Sequence, residues 1–593
     1  MIFFNKKQCQ SFVNFLKNNY PIILILVLGG ILRGWGINYD LSVVSSVGDE
    51  LTIISRSLKM LAQLTIFPQS SQGAYFPLIY YLYLIAIIPY SLVLLIFNGF
   101  SLSALKDSVI FDLSSWLLVG RIVSLILGTL SIYLIYLIAK RIFKTKTAVY
   151  IAALLFALDP LNVVLSHFGR VWEPQVFFIL LALFFSLFIW DKPGSQISKK
   201  QLAATALFIL LSFGVNAIGI ISYLLWLLVV FVYRSNSKLK DFISFIFSKQ
   251  SLIIHCLLIT GGLLIIFLAK DSLSTYSTVW SLFLSHNYNS LPIVASAGGQ
   301  PLSWWFKIGH SLNMLWQYQT AAVTLFIPAA IFLFFKERKN FYFLLCSSLV
   351  FFLCLNPPLI SSSRPRYQSL LTPFIILSAA WLIAELFSYL KGKRAVLASV
   401  FIILAILPSL FVNIKNDFLL SRSSTNSDLY FWLKDNLRPG DNVLLINFYL
   451  SQELLPNLDL IRSIKELSPQ YYSFRLQYIN DKLSGKWLGG YGIYSDVFLC
   501  QWPQDKISSI KFKYVVIADT YEKKTLASEA TLCGYSALDL TDKKVVFDQE
   551  TAPYFNYSLT DGYFINGNIF IEVYRSLWRI KKLGPQIKIY QLY

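Results

Sequence analysis

The chain has 593 residues, 56% of them hydrophobic and 14% charged, with a formal net charge of +20. A soluble domain cannot hide that much apolar surface, so composition points to a polytopic α-helical membrane protein. The basic excess does not point to nucleic acid, because Lys and Arg fall in short clusters between apolar runs, as topology signals do.

Lys6, Lys7 and Lys17 precede the first apolar run, 20–38, which lacks a small-residue cleavage site and reads as an anchor that stays attached. Further runs lie at 115–139, 148–166, 174–191, 201–215, 216–233, 251–269, 319–335, 341–360, 368–390 and 395–413. Each approaches the ~20 helical residues that cross a bilayer. The run 201–215 is short, and "FGVN" (213–216) reads as a tight hairpin into the next. Another run, 76–97, is long enough to span but contains Pro77 and Pro89.

Charge decides how 76–97 is read. If it does not cross, the clusters Arg141/Lys144/Lys146, Lys192/Lys199/Lys200, Arg234/Lys238/Lys240, Lys336/Arg338/Lys339 and Lys391/Lys393/Arg394 share the side of the N-terminus. If it crosses, all of them move outside, against the positive-inside rule. The expectation is therefore about eleven spans in an inner cell membrane, with a cytoplasmic N-terminus and an external or periplasmic C-terminus. The segment 76–97 then lies in the outer interface.

This topology gathers unusual residues on the outer face. The first external loop, about 39–114, carries Asp49, Glu50 and Arg56. "SHFGRVWEP" (166–174) adds His167, Arg170 and Glu173, and "SSSRPRYQS" (361–369) adds Arg364, Arg366 and Tyr367. Arginines can hold a phosphate bidentately at headgroup depth, and a carboxylate can take a proton from a hydroxyl. Plainer roles stand beside these. Asp49 and Glu50 suit a helix first turn, Glu173 before Pro174 suits a helix start, and Arg364 and Arg366 suit interfacial anchors. Asp159 is costly in lipid, although Pro160 can end a helix turn there.

The spans set a transmembrane domain at 1–413 and an external α/β domain at 414–593. In the latter, 442–448, 513–519, 569–575 and 587–593 read as strands and 428–437 as a helix closed by Pro439-Gly440. Cys500 and Cys533 lie in that domain and are the pair available for a disulfide in an oxidising compartment. No P-loop, dinucleotide fingerprint, nucleophile elbow or zinc spacing occurs.

An Asp-Glu pair soon after the first span resembles membrane glycosyltransferases that use polyprenyl-phosphate sugars, the protein O-mannosyltransferase and lipid A aminoarabinose transferase-like superfamily. The likeness continues through 118–178, with its arginine-led span, basic turn and acid-Pro pair. It extends to "RPRYQSLLTPFIILSAAWL" (364–382) and to the helix-turn-strand of 429–448. Glu173 stands where that family usually has Asp, and His167 and Arg170 both fit the basic position before it. The resemblance implies a C-type glycosyltransferase fold, with interfacial helices in the first external loop, and a hexosyl- or pentosyltransferase, inverting, acting on a hydroxyl acceptor at the outer face. Its partners would be a polyprenyl-phosphate sugar and membrane lipids, not nucleic acid. Asp49, Glu50 and Glu173 would be catalytic, and Arg56, His167, Arg170, Arg364, Arg366 and Tyr367 would bind the phosphate. No protein metal site is expected, and a divalent cation stays open as a cofactor. The competing readings are a non-catalytic polyprenyl-lipid-binding or envelope-assembly protein and, further off, a secondary transporter.

Overall fold

The computed structural model describes residues 6–41, 48–68, 75–188, 198–269, 312, 315–316, 320–355, 365–389, 394–446, 456–469, 474–483, 491–495, 499, 502–519, 543–549, 580–584 and 586–593. The chain is mostly helical, with one small sheet toward the C-terminus. Arg364, Cys500, Cys533 and the expected strand 569–575 lie outside the described residues.

The first helices are α1 (Lys6–Gly34), α2 (Gly48–Gln63), α3 (Leu78–Phe97) and α4 (Leu102–Phe111). After them runs the longest helix, α5 (Leu113–Ile142), 30 residues with a rise of ~45 Å. A turn reverses the chain into α6 (Lys146–Ala157), which breaks before α7 (Pro160–Ser166) at an angle of 53°. The break follows from local chemistry. Asp159 caps α7 by accepting from the Leu161 N–H at 3.1 Å, and Pro160 takes the first helical position, where no N–H is needed. Next come α8 (Trp172–Leu187) and α9 (Lys199–Val215), the latter opened by a Ser198/Gln201 capping box. Asn216 then caps the following 3-10 turn, so "FGVN" does make a tight hairpin, into α10 (Ile221–Val229).

The remaining helices are α11 (Leu239–Ile246), α12 (Lys249–Leu268), α13 (Thr320–Lys336), α14 (Arg338–Leu355), α15 (Pro365–Gln368), α16 (Thr372–Tyr389) and α17 (Arg394–Leu420). All eleven expected spans fall on helical segments where the chain is described. By length and apolarity alone, five helices among the described residues can cross a bilayer, or six with the bent α6–α7 pair counted as one. The apolar helix α3 is one of the five.

α3 packs against α2, the first part of α5 and the end of α9. The start of α5, the end of α7, the start of α8 and the end of α9 also meet one another. Gly169 approaches Gly120, and the Gln175 side chain donates to Ser212 at 3.0 Å. Phe76, just before α3, packs on Phe213 at 4.9 Å, and Tyr90 packs on Trp116 at 5.0 Å. Between them the Tyr83 hydroxyl donates to the Arg170 carbonyl at 2.8 Å.

The sheet has the order β2-β1-β3-β5-β4, from β1 (Asn442–Ile446), β2 (Gly492–Ser495), β3 (Tyr514–Asp519), β4 (Lys544–Gln549) and β5 (Gln586–Gln591). β1, β2 and β3 run parallel, and β5 pairs antiparallel with β3 and β4. Alternation sorts the β1 and β3 side chains between two cores. Leu444, Ile446 and Val515 pack with Leu460 and Ile464, and Val443, Leu445 and Val516 pack with Leu429 and Leu433 of α18 (Thr425–Asn436). Several polar contacts dock this unit on the bundle, among them one from Arg475 Nε to the Ile110 carbonyl at 2.9 Å. Asp40, after α1, accepts from the Ser424 and Ser427 hydroxyls that open α18. Asp107 of α4 accepts from the Tyr478 hydroxyl at 2.9 Å and pairs with Lys482.

In a cysteine-free background, Gln63→Cys at the end of α2 and Asn98→Cys just beyond α3, which flank that helix, should react with an impermeant maleimide from the same membrane face. Both positions are exposed. Labelling from opposite faces would mean that α3 crosses.

Candidate active site

Asp49 and Glu50 occupy the first turn of α2, where carboxylates complement the helix dipole. Consecutive residues on a helix diverge by ~100°, so the two acids enter different surroundings.

Glu50 points inward and is fully buried, as is Arg121 of α5. The pair is bidentate, Nε to Oε1 at 2.8 Å and Nη2 to Oε2 at 2.9 Å. The Gly169 N–H donates to the same Oε1 at 2.8 Å. The remaining Arg121 nitrogen, Nη1, donates to the carbonyls of Ile37 at 2.9 Å and Tyr39 at 2.6 Å. Only glycine fits at 169, because a Cβ there would stand 3.2 Å from the Gly120 carbonyl carbon and 3.3 Å from Oε1.

Asp49 points outward with its side chain 33% exposed. Its Oδ2 pairs closely with Nη2 of Arg170, which is buried, and lies 3.6 Å from Nη1 of Arg366. Tyr75 hydrogen-bonds to the same carboxylate. Burial would push the Asp49 carboxyl up, but Arg170 and Arg366 outweigh it and hold the group below the usual carboxylate range. A depressed value means the pairing stabilises the fold above the ordinary carboxylate range and is lost only as pH falls through the lowered value.

Arg366 sits on α15 with its guanidinium 5.5 Å from the Trp172 ring and 5.7 Å from the Tyr367 ring. Trp172 and Tyr367 meet edge to face at 4.8 Å. Arg56, on α2, donates to the Tyr80 hydroxyl at 3.0 Å.

The other expected residues lie apart from this group. Glu173 is buried inside the bundle beside Arg33, and the two approach one spot at Gly128, where a Cβ would meet Glu173 Oε1 at 3.0 Å and Arg33 Nε at 3.1 Å. The carboxylate beside Arg366 is Asp49, not Glu173. His167 is buried, with Nδ1 2.9 Å from the Val163 carbonyl and Nε2 2.9 Å from the Trp35 carbonyl. Burial, with Arg121 and Arg33 behind it, pushes the imidazole down to about 4 against the pull of those carbonyls. Asp417 Oδ1 lies 3.6 Å from the same Nε2. Among the described residues, no group of three or more His, Cys, Asp or Glu side chains converges as a metal site.

The structure therefore brings together Asp49, Arg170, Arg366 and Tyr367, and separates them from Glu50, Glu173 and His167. Tyr75, Trp172 and Arg33 were not singled out from the sequence. Tyr75 and Trp172 stand among many aromatics, and nothing local marks them. Arg33 carried a usable signal, being a lone charge near the end of the first apolar run.

Residues 108–260 match the dolichyl-phosphate-mannose-protein mannosyltransferase family. That segment holds Arg121, His167, Arg170 and Glu173, and the resemblance read from 118–178 falls within it. No curated protein matches the chain. Solved structures resemble it in outline. The Archaeoglobus fulgidus oligosaccharyltransferase AglB, in complex with an inhibitory peptide and a dolichol-phosphate, has TM-score 0.47 and 14% identity over 87% of this chain and 71% of its own. The same organism's oligosaccharyltransferase tethered to an acceptor peptide has TM-score 0.48 and 13% identity, covering 98% and 89%. ArnT from Cupriavidus metallidurans bound to undecaprenyl phosphate has TM-score 0.46 and 12% identity, covering 86% and 95%.

The two adjacent acids should separate in a stability measurement. Glu50→Gln leaves Arg121 buried without its counter-charge, a loss of ~3–5 kcal/mol. It should sharply lower the monodisperse yield and the thermal midpoint in detergent. Asp49→Asn should fold nearly as well as the parent.

Proposed function

We propose that the protein is an integral-membrane glycosyltransferase that moves a sugar from a polyprenyl phosphate to a hydroxyl acceptor at the outer face, with inversion. The observation that carries this reading is Asp49 itself, a partly exposed carboxylate set between two guanidiniums. The family match over 108–260 supports the reaction class, and the two arginines support a phosphate-bearing donor.

The chemistry follows from the placement. The acceptor oxygen attacks the anomeric carbon on the side opposite the phosphate. The bond from that carbon to the phosphate oxygen breaks, and its electron pair leaves with the polyprenyl phosphate. The acceptor proton passes to the Asp49 carboxylate. A carboxylate held at low proton affinity suits this step, because the attacking hydroxyl becomes strongly acidic once its bond to carbon forms. Arg366 and Arg170 stabilise the charge that grows on the leaving phosphate, an interaction stronger in the transition state than in the ground state. Glu50 acts through position alone, aiming α2. Glu173 and His167 are assigned the same kind of supporting role, since both are buried.

A non-catalytic lipid-binding protein would need the arginines but not Asp49. Purified protein given a radiolabelled polyprenyl-phosphate sugar separates the two. Asp49→Asn should reduce sugar release or transfer at least ~100-fold, the scale of general-base catalysis, while polyprenyl phosphate still binds. Arg366→Lys should cost ~10-fold or more in kcat/KM by losing the planar fork. Parent-like turnover in Asp49→Asn would remove the proposed base.

The pH profile gives an independent check. Because Asp49 is held below the usual carboxylate range, kcat/KM should show no acid limb from it between pH ~5 and 8. Arg170→Gln removes a cation and should move an acid limb up in pH. An unmoved profile would show that Arg170 does not tune the base.

A further inference from the structure

We infer that Asp49 and the donor phosphate share Arg366, so that donor binding draws this guanidinium from the carboxylate and uncovers Asp49 for the acceptor. The inference rests on the reading above and adds a regulation of the same site: an order of binding, donor before acceptor.

The two arginines are not equivalent. Arg170 is buried, and its contact with Asp49 Oδ2 is close. Arg366 Nη1 stands 3.6 Å from the same oxygen, beyond the 2.7–3.2 Å of a formed N–H···O bond. Arg366 therefore contributes charge to Asp49 without being tied to it. The Arg366 carbonyl accepts from the Ser369 hydroxyl at 2.7 Å, and its guanidinium lies near the Trp172 and Tyr367 rings. A guanidinium over aromatic rings can turn its fork toward an incoming phosphate while keeping that contact.

Charge balance sets the direction of the exchange. Asp49, Arg170 and Arg366 sum to one unit of positive charge. A sugar polyprenyl phosphate is a phosphodiester with one negative charge, so the loaded site is neutral. With Arg366 on the phosphate, Asp49 keeps one guanidinium instead of two and accepts a proton more readily. In the free protein both hold it, and an acceptor hydroxyl meets a weaker base. Coupling of this kind is reciprocal, so the Asp49 charge must also oppose phosphate binding through Arg366.

That reciprocity can be measured without turnover. The probe is a polyprenyl phosphate titrated into the full chain in nanodiscs, with affinity read for the parent, Asp49→Asn, Arg366→Ala and the double variant. Asp49→Asn should bind the probe ~5-fold or more tightly than the parent, within the usual range of coupling. In the Arg366→Ala background the same change should tighten binding less than ~2-fold. If Arg366→Ala does not fold, Arg366→Gln carries the same comparison. Equal tightening in both backgrounds, or none in either, overturns the shared guanidinium while leaving the transferase reading in place. No saturable binding of the probe to the parent overturns both.

Discussion

One buried ion pair sets the geometry of the face. Glu50 and Arg121 meet through two parallel hydrogen bonds, and their remaining capacity goes to Gly169 N–H and to the carbonyls of Ile37 and Tyr39. A charge taken out of water costs several kcal/mol unless it is paired and its other lone pairs and protons are met. That condition binds four segments at one point: the start of α2, the upper part of α5, the turn after α1 and the loop between α7 and α8. Asp49 is one residue from this clamp, and Arg170 is one residue beyond Gly169. Asp49 and its tight partner are thus positioned by the same contact.

A second buried cation serves the frame. Arg33 donates to the carbonyls of Gly29 and Ala157 at 3.1 Å and of Phe156 at 3.4 Å, which end α6 at the break before α7. Cations favour a helix C-terminus, and here the terminus is one that Asp159 and Pro160 create. Glu173, Asp159 and Asp417 surround Arg33, which accounts for a glutamate inside an apolar bundle. A division of labour results. The fully buried acids Glu50, Glu173 and Asp159 sit among packed helices, whereas Asp49 is partly open with two guanidiniums beside it.

Much of this was legible in the sequence, for identifiable reasons. Hydrophobic run lengths located the helices, because crossing a bilayer demands continuous apolar stretches. The loop distribution of Lys and Arg led to reading 76–97 as a segment in the outer interface, and it forms the helix α3, packed beside α2. The resemblance singled out Asp49, and the outer-face charges singled out Arg170 and Arg366. What stayed hidden was pairing. Glu50 and Arg121 are 71 positions apart, and Asp49 and Arg170 are 121 apart; no local pattern says which acid takes which base. The parting of Asp49 from Glu50 needs the helix start to be known, since it is a matter of ~100° of rotation. The burial of Glu173 was hidden for the same reason: beside Trp172 it shares the loop's sequence, but its side chain turns into the bundle. In the C-terminal unit, β1 and β3 carry clear apolar runs and β5 alternates, whereas β2 is only four residues long and β4, as long as β3, is not among the strands expected from the sequence.

The central claim is that a donor phosphate seats against Arg366 and next to Asp49. A structure of the protein in a nanodisc with a polyprenyl phosphate bound tests it most directly. The phosphate oxygens should lie within ~3 Å of the Arg366 guanidinium, the length of a charge-assisted hydrogen bond. The Asp49 carboxylate should then stand beside the phosphate, with Arg170 still paired to it and Glu50 still clamped to Arg121. A phosphate bound elsewhere in the bundle, with Arg366 and Asp49 unmoved, would contradict the account.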